Sequence, residues 1–278
     1  MTKPNLNYYL YKAAHGAVYM ARRCIPASLV PPKKDLSGHF SIGITTYIAR
    51  YEKYFKPLYL ALCKYFPDVR IIVAVNGFSD SAAHQSYLDR FSREICANAA
   101  SNRHFVLHDK PVGCSQLWND ILGAGIQSPT LILNDDLRIY PYLRRWAESF
   151  DWEKADIALL NSTWSNFIIS QKAVRKIGAF DPMFTGIGFE DMDYTARAYF
   201  AGVKIANIIC PYVYHKDLKP ERTSFDAISG KVWGKFTSAN HDYFFTKWEK
   251  CAAGEGAYIK QIASHVKPVI KGTHNLIH

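Results

Sequence analysis

Apolar residues recur along this chain in two rhythms, which alternate from about residue 40 to about residue 213. Short apolar runs, of the kind that fill strands covered on both faces, occur at Phe40–Thr45, Arg70–Val75 and His104–Asp109. Four more follow: "TLILNDD" (130–136), "DIALLNST" (156–163), "SNFIIS" (165–170) and "VKIANII" (203–209). Between the runs the spacing turns helical. It does so at about Tyr51–Tyr65, in "SQLWNDILGAGIQ" (115–127) with Ser115 as candidate N-cap, and in "YLRRWAESF" (142–150). "QKAVRKIG" closes on Gly178 and "EDMDYTARAYFAG" on Gly202, each a helix with a glycine stop. Strands alternating with helices predict an α/β domain with a mixed, mostly parallel sheet flanked by helices.

Outside that region the pattern changes. "NLNYYLYKAAHGAVYMARRC" places Leu6, Leu10, Ala13, Ala17, Met20 and Cys24 at helical spacing, with Lys12, His15, Tyr19 and Arg22 on another flank. It predicts an amphipathic helix that either lies in a lipid interface or packs on its own domain. "PASLVPPKKDLSG" reads as a linker, and "YIKQIASHVKPVI" as a last amphipathic stretch. The expected organisation is therefore an amphipathic N-terminal segment and linker (1–35), one α/β domain (36–250) and a basic amphipathic tail (251–278).

Charge sharpens this division. The formal net charge of +10 comprises +5 on residues 1–35, +4 on 215–278 and only +1 on the 179 residues between. A nucleic-acid enzyme lines its groove with Lys and Arg, so basic ends around a neutral body favour an anionic membrane surface as partner and exclude nucleic acid. No run of 18 apolar residues occurs. The six cysteines (24, 63, 96, 114, 210 and 251) are scattered without metal-ligand spacing, as in a reducing compartment. The expected location is cytoplasmic, peripheral on the inner face of the cell membrane.

Candidate chemistry lies at three points. The run Leu131–Leu133 ends in Asn134, Asp135 and Asp136, adjacent carboxylates that repel each other unless something positive sits between them. A polar turn explains them, and so does a divalent-cation site at the carboxyl edge of an α/β sheet. Glu190, Asp191 and Asp193 open a helix, where carboxylates are favoured as caps in any case. His215 follows a short apolar run and, taken alone, is an ordinary surface histidine. Neither G-x-G-x-x-G nor a P-loop is present.

In sequence order the three points resemble the GT-A glycosyltransferases, and glycosyltransferase family 2 and its relatives in particular. "GCSQLWNDILGAGIQSPTLILNDD" and "FDPMFTGIGFEDMDYTARAYFAGVKI" are similar to that family's two motif segments, and the resemblance covers roughly residues 40–202. It implies an inverting, metal-assisted transferase of the hexosyl or a related class, with a Rossmann-like GT-A fold. Such an enzyme moves a sugar from a nucleotide-sugar donor to a hydroxyl of a glycan or lipid-linked acceptor, as in bacterial surface polysaccharide or lipopolysaccharide assembly. It further implies Mn²⁺ or Mg²⁺ on Asp136 and His215. Thr45, Asn76, Asn119, Asn134 and Asp135 fall on the donor side, Asp191 is the base and Glu190 its neighbour in catalysis. One departure concerns the nucleotide: Val75 stands where the family carries a base-reading Asp, with Asn76 beside it. Two other classes compete, a metal-dependent phosphodiesterase or nuclease and a non-catalytic membrane adaptor on the same scaffold. The neutral middle speaks against the first, and the intact Asp136, Asp191 and His215 against the second.

Overall fold

The computed structural model describes residues 32–125, 128–152, 156–215 and 239–248. The helix expected at 5–24 and the tail at 251–278 lie outside the described residues.

Among the described residues the first elements are β1 (Ser41–Thr46), a 3-10 turn (Ile48–Arg50) and a π-helical turn (Tyr51–Phe55) that runs into α1 (Lys56–Tyr65). Then come β2 (Arg70–Val75), α2 (Ser81–Phe91), β3 (Arg103–Leu107), α3 (Cys114–Ala124) and β4 (Thr130–Asn134). A short β5 (Leu137–Ile139) leads to α4 (Tyr142–Ser149), β6 (Ile157–Leu160), β7 (Asn166–Ile169) and α5 (Gln171–Ile177). The last elements are α6 (Glu190–Phe200), β8 (Ile205–Ile208), β9 (Val213–His215) and α7 (239–248).

Seven strands form one sheet in the order β3-β2-β1-β4-β7-β6-β8, and β5 pairs with β9 in a separate ribbon. In the large sheet only β7 runs against the others, so β1, β2, β4 and β6 all end at the same edge. The expected α/β class with a mixed, mostly parallel sheet is what the chain adopts.

The apolar runs are continuous because both sheet faces are covered. Alternate strand residues point to opposite faces. Ile42, Ile44, Ile71, Val73, Leu131 and Leu133 pack with Leu62 of α1, Phe91 of α2 and Leu143 of α4. Ile72, Ala74, Ile132, Leu159 and Phe167 pack on the other side with Ile121 of α3 and Tyr194 of α6. Each such side chain contributes roughly 1.5–3 kcal/mol relative to exposure, so a break in any run is costly. On β1 the residue facing α3 is Gly43, because a Cβ there would collide with the Ile121 side chain. α3 thereby lies close against the strand that leads into the cleft.

Several elements differ from expectation. α3 starts at Cys114 with extended Gly113 as its N-cap, not at Ser115. The reason is backbone crowding: a Cβ at Gly113 would meet the Phe184 carbonyl, and the Ser115 hydroxyl ends up buried in the first turn. α2 was not anticipated, since Ser, Gln and Asp interrupt its apolar stripe of Tyr87 and Phe91; Asp80 caps it by accepting the Ala83 N–H at 3.0 Å. α7 falls in a stretch read as merely polar and aromatic. The end of the linker is docked, with the Lys33 N–H donating to Glu148 and the Leu36 N–H to Asp68, beneath the buried Arg144 guanidinium that pairs with both acids. No helix among the described residues is long and apolar enough to cross a membrane.

Candidate active site

A cavity of about 220 Å³ opens at the sheet edge where β1, β2, β4 and β6 end. Its floor is Thr45 and Thr46 at the end of β1, Asn76 after β2, and Asn134 and Asp135 at the end of β4. One wall is the start of α3 with Cys114 and Trp118; another is the loop 163–165 with Trp164; a third is Ile187, Glu190 and Asp191. Residues from six separate segments therefore converge on one space, as ligand sites of open α/β sheets do.

The charge that the adjacent aspartates require is on the chain itself. Arg50 reaches back from the 3-10 turn after β1, its Nε 2.6 Å from Asp135 Oδ1 and its Nη2 2.7 Å from Asp136 Oδ2. Tyr54 lies under the guanidinium at 5.1 Å, and Thr46 Oγ1 donates to Asp135 Oδ2 at 2.8 Å. Burial pushes the Asp135 carboxyl up to about 7 even with Arg50 pulling it down, so its ionisation at neutral pH depends on that arginine. The two carboxylates in turn hold Arg50 more firmly protonated than usual, overriding its own burial.

The opposite wall is a strained turn. Gly186, Gly188 and Phe189 all have positive φ (79°, 112° and 69°), and Phe189 is the N-cap of α6. A left-handed phenylalanine costs about 1–2 kcal/mol, which its surroundings must offset. α7 does so from outside: Phe189 packs on Phe244 and His241, and Asn240 Nδ2 donates to the Gly188 carbonyl at 2.8 Å. α3 does so from inside, its Cys114 N–H donating to the Gly186 carbonyl at 2.7 Å. Lys247 of α7 bridges Asp181 at 2.5 Å and Asp193 at 2.7 Å, and Trp248 Nε1 donates to Asp193 at 2.9 Å.

That turn sets Glu190 and Asp191 apart. Glu190 is 5% exposed and accepts the Gly188 N–H at 2.5 Å. Burial first, and then the Asp191 charge, push Glu190 up to about 8. Asp191 is raised by burial too, against the pull of the Met192 N–H and its own N–H. Burial thus raises both carboxyls, and Glu190, up to about 8, holds its proton near neutral pH beside Asp191.

The expected residues distribute unevenly. Thr45, Asn76, Asn134, Asp135, Glu190 and Asp191 line the cavity, with Asp136 one residue further on and tied in through Arg50. Asn76, though lining, spends its amide on Val112, donating to its carbonyl at 3.0 Å and accepting its N–H at 2.8 Å. Asn119 is absent from the lining: its amide grips Phe180, donating to the carbonyl and accepting the N–H, both at 2.8 Å, and so ties α3 to the loop before α6. Asp193 faces away, fully buried between Arg197, Lys247 and Trp248. The His215 side chain lies outside the described residues, but its backbone pairs with Leu137, next to Asp136. Arg50, Tyr47, Trp118 and Trp164 were not anticipated. The repulsion within Asp135–Asp136 was the signal that an arginine belonged there.

The donor set suits a hard divalent ion: carboxylate oxygens at the end of β4 and a histidine whose strand, β9, ends with its backbone paired to Leu137 beside them. Among the described residues no group of three or more His, Cys, Asp or Glu is gathered as ligands, and Arg50 already occupies the oxygens facing it. The residues fit such an ion on the condition that the guanidinium gives ground.

Fold and cleft together define an α/β protein with an acidic cavity at the carboxyl edge of its sheet. No protein-family model matches the chain, and no curated protein matches it. Solved structures with a similar arrangement include GalNAc-T7 with UDP, GalNAc and Mn²⁺, at 10% identity and a TM-score of 0.48, covering 84% of this chain and 56% of that one. A second is the mannosyltransferase PcManGT from Pyrobaculum calidifontis in complex with GDP-Man and Mn²⁺, at 10% identity and TM-score 0.46, covering 91% and 83%. A third is the catalytic domain of Drosophila beta1,4galactosyltransferase 7 complexed with xylobiose, at 11% identity and TM-score 0.43, covering 66% and 73%. The chain thus spans little more than half the length of GalNAc-T7. Such distant likenesses leave function to be argued from the residues.

Glu190 provides a check of the site's electrostatics. The folded protein holds its proton up to about pH 8 while the unfolded chain releases it near the ordinary glutamate range, so this residue's contribution to stability falls as pH rises through that window. Glu190→Gln removes the dependence and still accepts the Gly188 N–H. The melting temperature of the variant should exceed that of wild type at pH 9, by an amount on the order of 5 kcal/mol, with the gap closing toward pH 5. Parallel melting curves across that range would show that Glu190 titrates normally.

Proposed function

We propose that the protein is an inverting, metal-assisted glycosyltransferase that moves a sugar from a nucleoside-diphosphate donor to an acceptor hydroxyl. The observation that carries this reading is the meeting, across one cavity, of a strand-end acidic pair with its counter-cation and a buried helix-start carboxylate pair. A diphosphate leaving group calls for the first, and a hydroxyl nucleophile for the second. The walls favour a sugar between them. Trp118 and Trp164 both line the cavity, and Trp118 Nε1 is buried with no hydrogen-bond partner among the described residues, a donor available to a sugar hydroxyl.

In this mechanism Asp191 accepts the acceptor's proton as its oxygen forms a bond to the anomeric carbon. The bond from that carbon to the diphosphate oxygen breaks on the opposite side, its electron pair leaving with the nucleoside diphosphate. Glu190, neutral, orients the acceptor by donating a hydrogen bond. Asp136, with His215, would hold Mn²⁺ or Mg²⁺, which supplies charge neutralisation at the diphosphate. Thr45, Asn134 and Asp135 face the donor, whereas Asn76, its amide engaged by Val112, supports the cleft floor. The basic ends, +5 on residues 1–35 and +4 on 215–278, support attachment to the inner face of an anionic membrane. A lipid-linked or glycan acceptor in surface polysaccharide assembly would be met there.

Four outcomes are expected. UDP or GDP should raise the melting temperature only with Mn²⁺ or Mg²⁺ present, and Asp136→Ala should abolish the shift; equal stabilisation in excess chelator counts against the metal. Asp191→Asn should bind donor nearly as wild type but transfer on the order of 10² to 10⁴-fold more slowly, with Glu190→Gln losing much less. The anomeric coupling constant of the product, read by NMR, should report inversion, and retention rules out direct displacement. Deleting residues 1–30 should release the protein from anionic vesicles while nucleotide binding persists; undiminished vesicle binding removes the membrane assignment.

A further inference from the structure

We propose that Arg50 is a built-in counter-ion that closes the strand-end carboxylates to divalent metal until a diphosphate arrives to take the guanidinium. The inference rests on the donor reading above and adds to it an order of events. Arg50 does not merely lie near the pair: it spans it, one nitrogen on each carboxylate, at 2.6 Å and 2.7 Å. Its side chain is 15% exposed, lines the cavity and rests on Tyr54. It comes from the first turn after β1, and β1 pairs in register with β4, Thr45 opposite Asn134. The arginine is thus delivered to the acids by the sheet itself, not by a surface loop.

Charge counting gives the consequence. Asp135, Asp136 and Arg50 sum to −1, so the acids are mostly satisfied before any ligand enters. A divalent ion on Asp136 would bring +2 against a guanidinium already in contact with the same carboxylate, and like charges at that range exclude one another. A nucleoside diphosphate changes the balance. Its phosphate oxygens match the planar fork of a guanidinium better than a single carboxylate oxygen does. Arg50 can then turn from the aspartates to the phosphates, remain paired, and leave Asp136 open to the ion. Metal and nucleotide would enter as one event, and the apoprotein would not collect metal that it cannot use.

The test needs no turnover. Mn²⁺ alone is titrated into the full chain without nucleotide, and unbound ion is read by its EPR signal. Wild type should bind weakly, and Arg50→Met should bind at least tenfold more tightly. Adding Asp136→Asn to Arg50→Met should return affinity to the wild-type level, which places the ion on that carboxylate. Arg50→Lys, whose single ammonium cannot span both acids, should fall between and serves if Arg50→Met does not melt cooperatively. Equal or weaker Mn²⁺ binding in the variants, in a protein whose UDP or GDP shift does require metal, overturns the gate and leaves the transferase reading standing. Failure of every form to bind Mn²⁺, with nucleotide or without, removes the metal from both.

Discussion

Two carboxylates on consecutive residues at the end of a buried strand are the constraint around which this protein is arranged. β4 is apolar because both faces of the sheet are covered, and its end is therefore poorly hydrated. Asp135 is almost fully buried there and Asp136 about one-third exposed, so water screens the first hardly at all. An arginine from the neighbouring strand's exit is the answer, which in turn fixes the path of the chain after β1. Tyr47 stays extended, one 3-10 turn swings Arg50 back over the edge, and a π-helical turn then takes up the register before α1 begins. Irregular helix geometry at this point follows from the position the guanidinium must reach.

The same logic of paired costs governs the opposite wall. Glu190 and Asp191 are both buried at a helix N-terminus, which raises both carboxyls, and a turn with three left-handed residues presents them. Such a turn does not hold itself. Its bracing comes from α7, some fifty residues further along the chain, through Asn240 on Gly188 and the aromatic contacts of Phe189. Asp193, one turn into α6, is the anchor: Arg197, Lys247 and Trp248 all converge on its carboxylate. An acid that looks from sequence like a third member of the catalytic cluster is the point where the helix is bolted down.

Much of the fold was legible because burial on both sheet faces writes continuous apolar runs, and β2 matches its expected limits for that reason. What escaped notice was structure whose signal is not hydrophobic rhythm. β5 and β9 are three residues each, too short to show a period, and α2 buries an aromatic stripe broken by polar residues. Within the site, the acidic residues were legible as pairs, because carboxylates at strand ends and helix starts are unusual in a way a reader can see. The amides were not. Asn76 and Asn119 stand at ligand-facing positions in the sequence pattern, yet each closes a two-way bond with a backbone peptide, to Val112 and to Phe180. A side-chain amide can recognise a nucleobase or a peptide group with the same donor–acceptor pair, and composition alone cannot distinguish them.

These two asparagines also brace the walls of the cavity. Each cross-links a strand end or helix to a loop that would otherwise carry unsatisfied peptide groups into the cleft. With Asn76 pinning the segment before α3 and Asn119 pinning the segment before α6, the walls are set by bonds that a substrate need not supply. The groups left to respond to one are those held by charge. Arg50 is held by Asp135 and Asp136 at this edge, and Glu190 and Asp191 are both raised by burial. In the reading proposed above, a frame of amide bonds around so small a set of charges suits a ligand carrying its own negative charge at one end and a proton to give up at the other.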